Sequence, residues 1–325
     1  MGSLRQPAVV LAALAGCYSP NPAAGIPCSP TQACPTGQHC DLDAPGGPTC
    51  IAKGGSPGSN GGDDGPADDP GTMSPDASPT PVGSANDLPG AARDVSAGGA
   101  FTYDLANAHD DTASPCAAGS VDLFFRITLA APEVIYLDTF GSAANVAVAV
   151  RAGSCLTPGA VEACVDDSCG GKQVQGAWNL AAGDHCIVVE QADATGPSTG
   201  TLSVVRGTRA GDPLVGKSGT VSGDTCKDDN SNTAGCGCEP AQDHHYFFTV
   251  CPNTSGAARL ETCDKADWDT VVQFRSAANA GLGCNDDSCG IQSELSRTIS
   301  APGLYWAIID GCDDCGTYTM AYTLP

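Results

Sequence analysis

Cys164-Val165-Asp166-Asp167-Ser168-Cys169-Gly170 recurs as Cys284-Asn285-Asp286-Asp287-Ser288-Cys289-Gly290, 120 positions further on. This is the tightest constraint on the fold, because a loop repeated with its Cys, Asp and Gly in place requires two copies of one unit. The flanking segments repeat with it. Asp122-Leu123-Phe124-Phe125-Arg126-Ile127-Thr128-Leu129 aligns with Asp243-His244-His245-Tyr246-Phe247-Phe248-Thr249-Val250, and the segment from Gly183 to Glu190 aligns with that from Gly303 to Asp310. Alternate positions are apolar, Phe125, Ile127 and Leu129 in one copy and Tyr246, Phe248 and Val250 in the other, which is the period of a strand with one buried face. A short strand closes each copy, Thr201 to Val205 and Thr317 to Tyr322.

Each copy is therefore a run of about 110 to 120 residues of short strands parted by Gly, Pro and Asp turns. With 41 Gly and 24 Pro among 325 residues, long helices are disfavoured. The expected fold is all-β: two tandem jelly-roll-like β-sandwiches, residues 91–207 and 208–325, after a disulfide-rich mini-module and a disordered linker. Asp269-Thr270-Val271-Val272, the Cys284 to Gly290 loop with Gln292-Ser293, and Ala301-Pro302-Gly303-Leu304-Tyr305-Trp306 running on to Asp310-Gly311 and Gly316-Thr317-Tyr318-Thr319 carry a resemblance. The pattern resembles the pre-peptidase C-terminal family of bacterial secreted domains, jelly-roll sandwiches often appended to exported peptidases and surface proteins. The first copy departs from it, with Asn145-Val146 in place of Asp269-Thr270 and Glu190-Gln191 in place of Asp310-Gly311.

Ahead of the repeats, Arg5 and the apolar run Pro7 to Ala15 read as a signal peptide over residues 1–16, too short to span a bilayer. It ends Leu14-Ala15-Gly16-Cys17, which is similar to the lipobox of bacterial lipoproteins. The resemblance implies a diacylglycerol thioether on Cys17, and Tyr18 after it implies anchoring in lipid of the outer membrane. An ordinary cleaved signal, with Cys17 left for a disulfide, is the alternative. In residues 17–52, Cys28, Cys34, Cys40 and Cys50 are expected to form two bridges holding a module too small for a core. Residues 53–90 hold nine Gly, seven Pro, six Asp and five Ser in 38 positions. That composition predicts a disordered stalk with an end-to-end distance of about 35 Å.

Nineteen Cys indicate an oxidising compartment outside the cytosol. Five lie in the first sandwich, at 116, 155, 164, 169 and 186, and nine in the second. Both counts are odd, so full oxidation with an internally paired mini-module requires at least one bridge between the sandwiches. Cys116 is the expected odd member, since Cys263 lies on a strand where the first copy offers Phe140. Cys155 with Cys164 is the expected local hairpin bridge.

A formal charge of −23 excludes nucleic-acid binding through a basic face. Gly196-Pro197-Ser198-Thr199-Gly200 fits the nucleophile pattern G-x-S-x-G, but a strand is expected after the Ser where the elbow needs a helix, so no enzyme activity is expected. His244 and His245 point to opposite faces of one strand and cannot share an ion. Calcium suits the acidic loops better. Asp228, Asn230, Asn232 and Glu239 fall at positions 1, 3, 5 and 12 of an EF-hand spacing, although Thr233 stands where the turn glycine belongs. The loops holding Asp264 to Asp269, Asp286 with Asp287, and Asp310 with Asp313 and Asp314 are further candidates. Solvated turn residues are the competing explanation. Trp268, between Asp267 and Asp269, is a candidate for stacking on a ligand, against a role in the core.

The expected function is a lipid-anchored surface protein presenting two disulfide-bonded sandwiches to an extracellular polysaccharide or protein, with calcium as a candidate cofactor. A structural or envelope-assembly lipoprotein, or an accessory protein retaining a secreted hydrolase, remains open beside it.

Overall fold

The computed structural model describes residues 38–41, 49–52, 85–112, 116, 120–232, 236 and 241–325. The chain divides into two units, residues 1–76 and 77–325. In the first, β1 (Gln38–Asp41) and β2 (Thr49–Ala52) form an antiparallel hairpin with Cys40 opposite Cys50 in register. The expected lipidation site Cys17, the mini-module cysteines Cys28 and Cys34, and linker residues 53–84 lie outside the described residues.

The second unit holds both repeats. The first comprises β3 (Arg93–Asp94), β4 (Gly99–Asp104), β5 (Asp122–Leu129), β6 (Glu133–Asp138), β7 (Val146–Ala152), β8 (Val161–Val165), β9 (Gln175–Leu180), β10 (Gly183–Gln191) and β11 (Thr199–Arg206). The second comprises β12 (Asp212–Pro213), β13 (Ser218–Asp224), β14 (His244–Val250), β15 (Gly256–Glu261), β16 (Thr270–Ser276), β17 (Gly281–Asn285), β18 (Glu294–Ile299), β19 (Gly303–Gly311) and β20 (Thr317–Thr323).

In the first repeat β4 pairs with β11, β5 with β10, β6 with β9 and β7 with β8, all antiparallel. That nesting is one long hairpin rolled up, so successive strands alternate between sheets except at the tip: the jelly roll. The sheets run β3-β5-β10-β7-β8 and β4-β11-β6-β9. The second repeat copies the order strand for strand, β12-β14-β19-β16-β17 and β13-β20-β15-β18. A two-residue strand, β3 or β12, adds parallel to the edge of each five-stranded sheet.

The predicted alternation is observed. Phe125, Ile127 and Leu129 fill the first core, and Tyr246, Phe248 and Val250 the second. The opposite faces are covered in part: Arg126 and Thr128 of β5 are exposed, as a half-buried strand requires, but other outward residues are buried. Phe124 and Val188 pack with Cys155 and Cys186 on the outside of the first five-stranded sheet. A third cluster joins the repeats: Val134 and Tyr136 of β6 meet Phe247 of β14 and Leu304, Trp306 and Ile308 of β19. Trp306 is 1 % exposed. It fits because Gly207 and Gly211, at the junction, have no Cβ; one would come within 2.8 and 2.7 Å of the indole.

Six disulfides join described cysteines. Cys116–Cys164 and Cys236–Cys284 are the same bridge in the two repeats. The expected Cys155–Cys164 pair is corrected: Cys155 joins Cys186, because Arg151 pairs with Cys186 across β7 and β10 and brings the turn after β7 over β10. The bridge between repeats that the odd counts require is Cys169–Cys251. Its first-repeat member is therefore Cys169, not Cys116. Cys289, the counterpart of Cys169, bonds Cys263, and Phe140 leaves Cys169 without that partner.

The stalk boundary moves as well. Residues 85–90, assigned to the linker by composition, dock on the first repeat. The carbonyl of Asn86 accepts from the backbone N–H of Phe124, its side-chain amide donates to the Phe124 carbonyl, and buried Asp87 accepts from the backbone N–H of His109.

Candidate functional site

In an antiparallel pair the start of one strand lies beside the end of the other. β16 and β17 pair with Val272 opposite Asn285, which sets Asp269, just before β16, against Asp286 and Asp287, just after β17. One carboxylate oxygen from each of the three lies within 4.8 Å of the others. The backbone holds them there. Asp287 adopts φ 59° and Gly290 φ 83°, left-handed conformations that Asp tolerates and Gly favours, which gives the repeated loop its Asp and Gly. Cys263–Cys289 and Cys236–Cys284 fasten the same loop.

Oxygen donors on a fixed loop suit a hard divalent cation. Oδ1 of Asp269 is buried and accepts no hydrogen bond from any described residue. Burial, and then the charges of Asp286 and Asp287, raise the pKa of Asp269; burial and Asp287 raise that of Asp286. Mutual repulsion of this kind is relieved by a bound cation or by protons. The first repeat has the same turn, with Asp167 at φ 45° and Gly170 at φ 73°, but Asn145 occupies the place of Asp269. Its turn keeps two acids, not three.

The other candidate ligands are dispersed. Asp228 accepts from His244, whose two ring nitrogens lie 2.8 Å from Asp228 and 3.1 Å from Asp212. Asn232 has its side chain on His245 and its backbone N–H on Asp243, Asn230 is exposed, and Glu239 lies outside the described residues. The EF-hand reading of Asp228, Asn230 and Asn232 is thus corrected: Asp228 ends a short 3-10 turn, Thr225–Lys227, and faces strand β14. Asp310 is fully buried, accepts from Gln273 and the N–H of Gly311, and belongs to the fold, while Asp313 is exposed. Burial lifts the pKa of Asp310 to about 7, with the charge of Asp243 adding to it. Trp268 is 5 % exposed, packs in the second core and donates its indole N–H to the carbonyl of Thr317 at 2.8 Å, so the stacking role is corrected to a core one.

The two adjacent histidines serve different networks. His245 accepts from Arg209 at 2.5 Å on Nε2, and its Nδ1 lies 3.3 Å from buried Asp243. Burial first, then the charges of Arg209, His244 and Arg275, drive its pKa down to about 3, so it is neutral and acts as an acceptor. Ser198, in the G-x-S-x-G segment, donates to Asp104 at 2.6 Å just before β11. Asp269 was visible in the sequence only as one acid of an oxygen-rich loop; the antiparallel pairing of β16 with β17 singles it out.

No family model matches the chain, and no curated protein matches it. Among solved structures, a Paenibacillus xanthan lyase is similar over 86 % of this chain and 28 % of its own, at 13 % identity and TM-score 0.24. The CUB1-EGF-CUB2 domains of rat MASP-1 are similar at 10 % identity and TM-score 0.20, over 69 % of this chain and 97 % of theirs. An Arthrobacter globiformis T6 isomalto-dextranase complexed with panose is similar at 11 % and TM-score 0.20, over 63 % and 35 % of the two chains. The chain spans less than a third of the xanthan lyase, and scores this low carry no argument about function. The disulfides mark an exported or extracellular protein.

Proposed function

We propose that the chain is a lipid-anchored surface protein that binds an extracellular polymer through its second repeat, with calcium held by Asp269, Asp286 and Asp287. The observation that carries this reading is the convergence of the three carboxylates within 4.8 Å on a doubly bridged loop. Supporting it are the lipobox-like end of the apolar leader at Cys17, the stalk-like composition of residues 53–84, and the resemblance of the second repeat to pre-peptidase C-terminal domains. A stalk has a purpose for a domain that works away from its anchor.

Thermal unfolding of the chain in millimolar calcium and in chelator tests the site. At free calcium about a hundred times the dissociation constant, mass action adds roughly 2.7 kcal/mol, and Asp286→Asn with Asp287→Asn removes the shift. Identical melting of the unaltered chain under both conditions removes calcium from the proposal. Labelling with a palmitate analogue that persists in Cys17→Ala removes the anchor.

A further inference from the structure

On an edge strand whose core phase is set by Leu295 and Ile299, the residue between them should be apolar. It is Arg297. Leu295 and Ile299 of β18 are buried, while Arg297 in the same phase is exposed. The first repeat has Trp178 at this place, partly buried and packed on its core. With no ring to close it, the open side of the second sandwich, between β17 and β18, carries two adjoining clefts of about 570 and 650 Å³ that share Leu282 and Arg297. Strand β17 adds little bulk there. Gly283 stands where the first repeat has Ala163, and Arg297 lies across it, with Cδ and Nε 3.4 Å from where a Cβ would sit.

The groove has polar equipment along its length. Arg297 spends Nε on the carbonyl of Leu282 at 2.5 Å, and its two terminal nitrogens have no partner among the described residues. Arg275 is held flat by Gln273, which accepts from its Nε at 3.1 Å and its Nη2 at 2.9 Å, and by the carbonyl of Asn279, which accepts from its Nη1 at 3.2 Å, so it brings charge to the groove more than open donors. Asn285 and Asp286 line one arm with Arg275, and Ser296, Thr298 and Ser300 the other. Asp286 also belongs to the acidic triad.

From this we infer that the groove across β17 binds an acidic polysaccharide, its uronate carboxylates paired with the terminal nitrogens of Arg297 beside the charge of Arg275, and its hydroxyls on the flanking amide and hydroxyl side chains. The inference rests on the reading of the second repeat as the binding end of an exported protein, and names the ligand class. Guanidinium groups pair with carboxylates in two-point hydrogen bonds. Two clefts that adjoin at Leu282 and Arg297 offer a longer footprint than a small molecule needs and fit a chain. An acidic peptide added as a strand is the less suitable occupant, because Arg297 already caps the outward carbonyl of Leu282 that such a strand would use. The overall charge of −23 repels polyanions at long range. At physiological salt that repulsion is screened within about 8 Å, which leaves the local arginines to decide the contact.

An inward charge on an edge strand also discourages strand-to-strand aggregation, so the test must separate binding from solubility. Affinity electrophoresis of the full chain in calcium-containing physiological salt would compare polygalacturonate with neutral dextran and with polyglutamate. Retardation by polygalacturonate alone is expected. Arg297→Gln should weaken it about tenfold, Arg297→Lys should lose less, and Gly283→Val, which fills the groove and removes no charge, should weaken it similarly. Sedimentation of each variant establishes that it stays monomeric. No retardation of the unaltered chain, or equal affinity in monomeric Arg297→Gln and Gly283→Val, overturns the inference, and equal retardation by polyglutamate reassigns the groove to acidic peptides. A calcium-induced melting shift without polygalacturonate binding defeats only this inference. Polygalacturonate binding without the shift defeats only the calcium site.

Discussion

The two repeats share one roll and differ in what they bury on its outer surfaces. In the first, Phe124 and Val188 cover the five-stranded sheet together with the Cys155–Cys186 bridge. In the second, the aligned positions are His245 and Ile308; His245 joins Arg209, Asn232 and Asp243, while Ile308 meets the first repeat. The difference shows that duplication preserved the strand pairing, which every strand enforces, and released the outer faces, each constrained only by what covers it. Among the described residues, the acidic triad and the groove beside Arg297 belong to the second repeat.

The largest expected effect comes from breaking the junction between the repeats. Trp306→Ala should cost about 3–5 kcal/mol, the range for deleting a large buried aromatic. The two repeats should then melt in separate calorimetric transitions; a single undiminished transition would mean that the junction does not couple them. Next is the cross-link. Replacing Cys169 and Cys251 with Ser removes a bridge spanning 82 positions, and the loop-closure entropy of the unfolded chain puts the loss at about 4.5 kcal/mol before native strain is counted. Phe140→Cys sharpens the comparison by returning to the first repeat the partner that Cys289 has in the second. Non-reducing peptide maps of that variant should then join the introduced thiol to Cys169 and leave Cys251 free. Maps showing only Cys169–Cys251 would mean that proximity across the junction outweighs the local geometry.

A pH effect is shared by the repeats, through Asp122 in the first and Asp310 in the second. Asp122 is fully buried at the start of β5, opposite Glu190 in register. Burial raises its pKa to about 7, against the backbone N–H groups of Thr112 and Asp111 that lower it. An acid whose folded pKa is raised binds its proton more tightly when folded, so stability falls as pH climbs from about 4 to 7 and levels off above, by about 1.4 kcal/mol per unit of elevation. Asp122→Asn should flatten that decline in urea unfolding of the full chain, leaving the contribution of Asp310; an unchanged slope would show that Asp122 ionises normally. The smallest effect is a gain. Asn145→Asp supplies the third acid beside Asp166 and Asp167 and should add a second, weaker calcium-dependent rise in melting temperature. No added rise would show that the triad needs more than its three acids.

Much of this was legible in order along the chain. Alternation placed Phe125, Ile127 and Leu129 on a core face, because a strand turns over every residue whatever its neighbours do. The parity of the cysteines required a bridge between repeats, since an odd number cannot pair internally. Which cysteine crosses was not legible: Cys116 and Cys169 are both loop residues, and only the folded positions of Cys164, Phe140 and Cys251 decide between them. Trp268 likewise sits among aspartates in the sequence, yet its ring is drawn into the core, where Gly311 and Gly316 leave it room.

The sequence by itself determined that there are two copies, that each is built of short strands with a known inward phase, and that disulfides secure them, because these follow from local backbone geometry and from counting. Tertiary structure alone decided that Asp269 meets Asp286 and Asp287, that Trp306 serves the junction and not either core, and that Arg297 lies over an open groove. Those outcomes depend on which strand ends and faces come together when the hairpin rolls, and residues far apart in the chain carry no local mark of that meeting.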